Sequence, residues 1–235
     1  MRVRVELTPS APEVAPPGWP RHPRRWTGVA IDVLRASTTL AFALRNGAAR
    51  VVPAATIEEA LAWRSREPRA LLCGERDGRR IPGFDLGNSP AEYGEDVVRG
   101  RALVFASTNG SLALRRIARC GSRWCGAFVN GTALARALSG RSHVLLVCAG
   151  KLGRFALEDA VFAGWLCERL AAAGATIEGP GAALARALTP ADTLETKALV
   201  QGSEHGRYLR SLGSAYAADV DLCARLDVIE RTFEV

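Results

Sequence analysis

Four times in this chain an apolar, β-favouring run ends in a polar turn and passes straight into a helix-compatible pattern, and no other feature restricts the fold as much. The runs are residues 28–34, 101–106, 124–129 and 143–148. The Ala-Ser-Thr tripeptide at the first turn, residues 36–38, recurs at the second, residues 106–108. Strands that alternate with helices build a mainly parallel sheet, because each helix returns the chain to the start of the next strand and covers a face of the sheet as it does so. Ligands in such sheets bind outside the carboxyl ends of the strands, where these turns gather.

The first unit carries the densest chemistry. Asp32 interrupts its apolar strand, and Arg35, Ser37, Thr38 and Thr39 crowd onto the turn that follows. Hydroxyl residues at a helix start cap unpaired N–H groups, and those N–H groups together with the helix dipole attract anions such as phosphate. A capped helix beside one buried, hydrogen-bonded aspartate produces the same pattern without any chemistry, so other parts of the chain must decide between the two.

Residues 2–7 alternate charged and apolar side chains, as a half-exposed strand at a sheet edge does. Prolines and arginines make residues 8–25 a loop. A short strand is expected over 50–53, a helix from Thr56 through Trp63, and a strand over 70–73. Residues 74–90 form the longest polar, turn-rich segment, of the kind that is functional when ordered, and Phe84 and Leu86 anchor it. Ser89-Pro90 then starts a helix through Val98. Beyond Gly174 the pattern is helical, with a glycine-rich break at 179–181 and helices over 190–200, 204–211 and 215–224. Residues 225–235 favour a last strand, and the even composition favours one domain over 1–235.

The formal net charge of +7 rests on 31 basic residues, of which only Lys151 and Lys197 are lysines. Arginine forks bind carboxylate and phosphate bidentately, so this excess suits an anionic ligand. No basic run is interleaved with aromatics, which speaks against nucleic acid. No segment approaches the ~20 apolar residues of a membrane span, and no basic-then-apolar leader opens the chain, so a soluble, cytoplasmic protein is expected, with a homo-oligomer compatible. The six cysteines are scattered without paired spacing or a neighbouring histidine cluster, as reduced core thiols are.

Acidic residues fall at or just after strand ends: Asp32, Glu75, Asp85 and the pair Glu158-Asp159. Oxygen-rich sets of this kind suit Mg²⁺, which takes a few carboxylates together with waters and substrate phosphate. The same turns offer Arg35, Arg76, Ser37, Thr38, Thr108 and Asn109 as anion donors. A metal with anion donors points to phosphoryl chemistry, although acids early in a helix also simply complement its dipole. Other readings fail. Residues 150–153 lack the spacing and terminal hydroxyl of a P-loop, no G-x-G-x-x-G follows a strand, and Leu34 stands where a D-x-D phosphatase needs its second acid. His205, at a helix start, is read first as structural and second as a general acid or anion donor.

Taken together and in order, Ile31-Asp-Val-Leu-Arg-Ala-Ser-Thr-Thr39, Gly74-Glu-Arg76, Gly83-Phe-Asp-Leu-Gly-Asn-Ser-Pro90, Thr108-Asn-Gly110 and Phe155-Ala-Leu-Glu-Asp159 resemble the 2-phosphosulfolactate phosphatase (ComB) family. The resemblance implies a three-layer α/β/α fold with a mainly parallel, mixed-edge sheet. It also implies a magnesium-dependent phosphatase that turns 2-phospho-3-sulfolactate into sulfolactate and inorganic phosphate in coenzyme M biosynthesis. On that reading Asp32, Glu75 and Glu158 or Asp159 hold Mg²⁺, and Ser37, Thr38, Thr39, Asn88, Thr108, Asn109 and Gly110 cradle a small anionic phosphorylated substrate. Arg35 and Arg76 are the first candidates for its other charges and Arg154 a third. Either Asp32 or Asp85 orients the attacking water or attacks phosphorus itself. Arg79-Arg80 and Lys151 depart from the family pattern and bear on specificity more than on reaction type. A non-catalytic anion-binding protein on the same fold is the alternative, and the complete carboxylate set speaks against it.

Overall fold

The computed structural model describes residues 1–9 and 22–235, so most of the Pro/Arg loop expected over 8–25 lies outside the described residues. Strand β1 spans Arg2–Glu6, and β2 (Thr27–Ile31) leads through the Asp32 turn into α1 (Ala36–Arg45). There follow β3 (Arg50–Pro53), α2 (Ile57–Arg66), β4 (Leu71–Arg76), β5 (Arg79–Arg80), α3 (Glu95–Val98), β6 (Ala102–Ala106) and α4 (Gly110–Ile117). The second half contains β7 (Ser122–Gly126), α5 (Gly131–Leu138), β8 (His143–Cys148), α6 (Leu157–Ala172) and β9 (Thr176–Glu178). It closes with α7 (Pro180–Ala187), α8 (Thr193–Gly202), α9 (Glu204–Ser211) and α10 (Ser214–Cys223). Local chemistry sets several starts: Thr56, Asp192 and Ser203 accept the N–H of Glu59, Glu195 and Gly206 and so cap α2, α8 and α9.

The strands divide between two sheets. One has the order β7-β2-β8-β1-β9 and is parallel throughout; the other, β3-β6-β4-β5, is parallel except for the β4–β5 hairpin. Period-two alternation assigns the faces. From β2, Val29 and Ile31 pack with Phe162 and Leu166 of α6, while Ala30 packs on the opposite face with Leu40 of α1 and Leu114 and Ile117 of α4. From β6, Leu103 and Phe105 enter that same cluster, and Val104 turns away toward Ala60 of α2. The larger sheet therefore lies between two helical layers, as expected for a three-layer α/β/α fold, and the smaller sheet continues the stack beyond α1 and α4. Gly74 permits the close β4–β6 pairing: its φ is +138°, and a Cβ there would stand 1.8 Å from the Ala106 carbonyl oxygen.

Several boundaries differ from expectation. β1 is not an edge strand but lies between β8 and β9; its Arg2 and Arg4 reach Glu178 of β9 at 3.4 and 3.1 Å. The three residues of β9 were too few to show a period, and α7 begins inside the glycine-rich break because Pro180 suits a first helical position. The helix expected from Ser89 to Val98 is a 3₁₀ turn, Pro90–Glu92, and the short α3, separated by Gly94. β7 ends at Gly126, and the expected last strand is reduced to one bridge between Trp124 and Glu234. Among the described residues no helix is long and apolar enough to cross a membrane.

Candidate active site at the junction of the two sheets

The carboxyl ends of β2 and β8 in one sheet meet those of β4 and β6 in the other, and Asp32 lies at the meeting point. Its carboxylate is buried and Oδ1 accepts the Ala36 N–H at 3.2 Å. The turn around it is stiff. Asp32 N–H donates to Ser37 Oγ at 3.0 Å, Ser37 Oγ donates to the Ala30 carbonyl at 3.0 Å, and Thr38 Oγ1 donates to the Val33 carbonyl at 2.9 Å. Thr39 Oγ1 donates to the Asn88 carbonyl at 3.0 Å. These hydroxyl hydrogens are thus spent on holding the backbone. Gly110 packs directly on this group: a Cβ there would stand 2.5 Å from Ala36 Cβ and 2.7 Å from Asp32 Oδ2.

The other acids divide into two kinds. Glu75 accepts the N–H groups of Thr108 and Gly78 at 2.8 and 2.7 Å, and Asp159 accepts those of Val33 and Gly150 at 2.8 and 3.0 Å. Each therefore uses both oxygens to tie two turns together. Asp32 Oδ2 and Glu158 Oε2, in contrast, have no donor among the described residues, while Glu158 Oε1 lies 3.4 Å from His205 Nδ1. Burial pushes the Asp32 carboxyl up to about 7, with His205 pulling it down and Glu75 and Glu158 pushing it further up. Burial, followed by the charges of Asp32 and Glu158, holds Asp159 well above the usual carboxylate range.

Among the described residues no three histidine, cysteine or acidic side chains are grouped to enclose a metal unaided. Mg²⁺ does not require that, since it commonly takes one or two carboxylates and completes its shell with water and phosphate. The donor-free oxygens of Asp32 and Glu158 are of the kind that role needs, and Thr108, whose N–H is held by Glu75, has a buried Oγ1 without a partner.

The model of the family described as 2-phosphosulpholactate phosphatase matches residues 16–234. This chain belongs to that family. It is 41% identical over 231 residues to a Deinococcus radiodurans protein named probable 2-phosphosulfolactate phosphatase, covering 96% of this chain and 90% of the relative. A Thermotoga petrophila protein of the same name is 39% identical over 204 residues, 87% of this chain and 86% of its own. One from Synechococcus is 40% identical over 204 residues, 85% and 82% respectively.

Within this member of the 2-phosphosulpholactate phosphatase family the remaining expected residues are scattered. Arg35 is buried; Nη1 donates to Asp219 Oδ2 and Nη2 to the Gly78 carbonyl, both at 2.6 Å, and the guanidinium lies 5.1 Å from the Tyr216 ring centroid. Arg76 Nη1 donates to the Glu75 carbonyl at 2.8 Å. Asp85 is exposed, pairs with Arg64 beside α2 and accepts the Leu72 N–H, so it does not join Asp32. Asn88 lines a second cavity of about 260 Å³ with Arg35, Tyr216 and Asp219, where its Oδ1 has no partner. Asn109 Oδ1 accepts the Leu152 N–H at 2.8 Å. The cavity over Glu158, about 250 Å³, is instead lined by Lys151, Arg154, Phe155, Glu204 and His205. The sequence alone favours a structural His205, because a place next to the Ser203 cap is the same signal for either role. Only the tertiary placement of α9 over α6 distinguishes them.

Proposed function

We propose that this chain is a magnesium-dependent phosphatase for the phosphate monoester of 2-phosphosulfolactate or a closely related phosphorylated 2-hydroxy acid. The observation that carries the reading is the pair of buried carboxylates, Asp32 just after β2 and Glu158 in the first turn of α6, each with one oxygen free of protein donors among the described residues, in a chain of this family. Asp32 and Glu158 would hold Mg²⁺, which supplies positive charge to the phosphoryl oxygens as negative charge spreads over them. Glu75 and Asp159 fix the four turns around the reacting group through their backbone hydrogen bonds. Thr108 Oγ1 and the amide groups that open α4 donate to the phosphate, and the Ser37, Thr38 and Thr39 hydroxyls keep the Asp32 turn rigid, so that little reorganisation accompanies the reaction. With Asp85 held by Arg64, Asp32 is the carboxylate left to orient the attacking water or attack phosphorus. Water supplies the oxygen that joins phosphorus, the ester P–O bond breaks, and the 2-hydroxyl is regenerated.

The test is phosphate release from 2-phosphosulfolactate, 2-phospholactate and 2-phosphoglycerate, each with magnesium or with a chelator. Magnesium-dependent release from at least the first is expected. No release from any of them brings forward the alternative, an anion-binding protein that retains the fold without the reaction. A rapid quench distinguishes the two roles of Asp32, since only direct attack leaves phosphate on the protein.

A further inference from the structure

Two cations, Lys151 and Arg154, are among the residues that line the Glu158–His205 cavity. Residues 151–154 form a reverse turn in which Lys151 and Arg154 exchange backbone hydrogen bonds, both 2.9 Å. Leu152 and Gly153 at its centre have φ of 52° and 73°. Positive φ at both central positions is the geometry that glycine and asparagine adopt freely, so a leucine there is imposed by its surroundings. Asn109 imposes it, accepting the Leu152 N–H at 2.8 Å from the start of α4, while Asp159 holds Gly150 at the other end of the turn. The consequence is a fixed backbone turn that puts Lys151 and Arg154 on the lining of the same cavity of about 250 Å³ as Glu158 and His205.

Neither cation is held by a buried acid. The Lys151 ammonium lies 4.7 Å from the Tyr208 ring centroid and 3.7 Å from a carboxylate oxygen of Glu204, whose side chain is 83% exposed. A pair so open to solvent contributes about 0–1 kcal/mol and yields readily to a better anion. Arg154 is exposed and has no acidic partner among the described residues. Arg35 and Arg76, by contrast, are spent on Asp219 and on the Glu75 carbonyl. The cavity thus has the buried Glu158 on its inner side and two cations, Lys151 and Arg154, against one exposed acid, Glu204, on its outer side. An anion entering it is repelled by Glu158 unless a cation bridges the two, and is drawn toward Lys151 and Arg154 on the other side.

We propose that Lys151 and Arg154 are the specificity-determining residues of this site, binding the strong acid group that the substrate carries in addition to its phosphate. They would select a phosphorylated 2-hydroxy acid that bears a sulfonate, or a group of like charge, over one that ends in a methyl. The planar fork of Arg154 matches two oxygens of such a group, and Lys151 adds a point charge. This inference rests on the phosphatase reading above.

The experiment measures kcat/KM for 2-phosphosulfolactate and 2-phospholactate with the wild type, Lys151→Met, Arg154→Met, the double variant and Lys151→Arg. The ratio of the two values is independent of how much of each preparation is folded. It is expected to fall about tenfold for each cation removed, the order for a lost charge-assisted hydrogen bond, and to recover in Lys151→Arg. An unchanged ratio in the double variant overturns the assignment. Calorimetric titration with sulfolactate and with lactate supplies a readout without turnover: the double variant should lose its preference for sulfolactate. If the wild type releases phosphate from neither ester, the phosphatase reading fails. The role of the two cations then stands if sulfolactate binding is lost in the double variant and falls if it is retained.

Discussion

Single residues here owe their roles to how many partners they satisfy at once. Arg35, expected as an anion donor, instead makes a buried pair with Asp219, whose other oxygen accepts the Ser89 hydroxyl at 2.7 Å. Removing one member of such a pair strands a buried charge, at a cost of about 3–5 kcal/mol, whereas removing both is nearly neutral. Arg35→Met should therefore lower the urea midpoint steeply, and Arg35→Met with Asp219→Leu should regain most of the loss; a single variant as stable as wild type would show that the pair holds nothing together. The cysteines follow equally simple physics. Burial pushes Cys73, Cys125, Cys167 and Cys223 up to about 12 and Cys120 to about 11. At pH 8.5 the native protein should resist iodoacetamide at all of these positions, with alkylation appearing only on unfolding. The folded state keeps these protons longer than the unfolded state, so stability should decline as pH rises above about 9. Ready alkylation of the native protein would mean that the thiols are not sealed as the structure has them.

At the level of elements, legibility depended on length and period. β8 carries enough apolar residues to define both ends, and it occupies residues 143–148 as the sequence predicts. β9 and β5 have three and two residues, and their pairing is created by neighbours distant in the chain. The site shows the same division. The Asp32 turn was readable because strand, hydroxyls and helix follow one another, whereas His205 and Lys151 reach it only through the packing of α9 and the turn 151–154. The start of α4 illustrates what such packing requires. With Gly110 against Asp32 Oδ2 and Ala36, Gly110→Ala should displace the first turn of α4, costing about 1–3 kcal/mol. It should also lower phosphate release by about tenfold to a hundredfold, because a shift of about 1 Å in a reacting group is enough for that. Gly140→Ala, where an added Cβ meets nothing within 4 Å, is the control for melting temperature and turnover. If both substitutions behave alike, the close approach of α4 to Asp32 has no functional weight.

The whole molecule is a stack in which two sheets share one helical layer and one site. A mainly parallel arrangement could be read from the alternation of strand and helix, but the split into two sheets could not. The central strands β2, β4, β6 and β8 are buried on both faces, and nothing in an apolar run names its neighbour. The split has an energetic consequence. Asp32 follows β2 of the larger sheet, Glu158 lies in the first turn of α6 and Glu75 in β4 of the smaller sheet, and the hydrogen bonds of Arg35 to Gly78 and Leu152 to Asn109 cross between the two halves. Mutual repulsion among the buried acids therefore loads the junction itself, and a bound divalent cation would relieve it for the folded chain only. At ten times its Kd such an ion adds about 1.4 kcal/mol of stability. For a chain of this length that is a rise of about 3–6 °C in Tm. Wild-type protein should show the rise between EDTA and millimolar magnesium, while Asp32→Asn and Glu158→Gln, having lost both the ligand and the repulsion, should melt higher than wild type in EDTA and respond weakly to the ion. A wild-type Tm that is the same with magnesium as with EDTA, both alone and with inorganic phosphate present, would remove these carboxylates from any metal site.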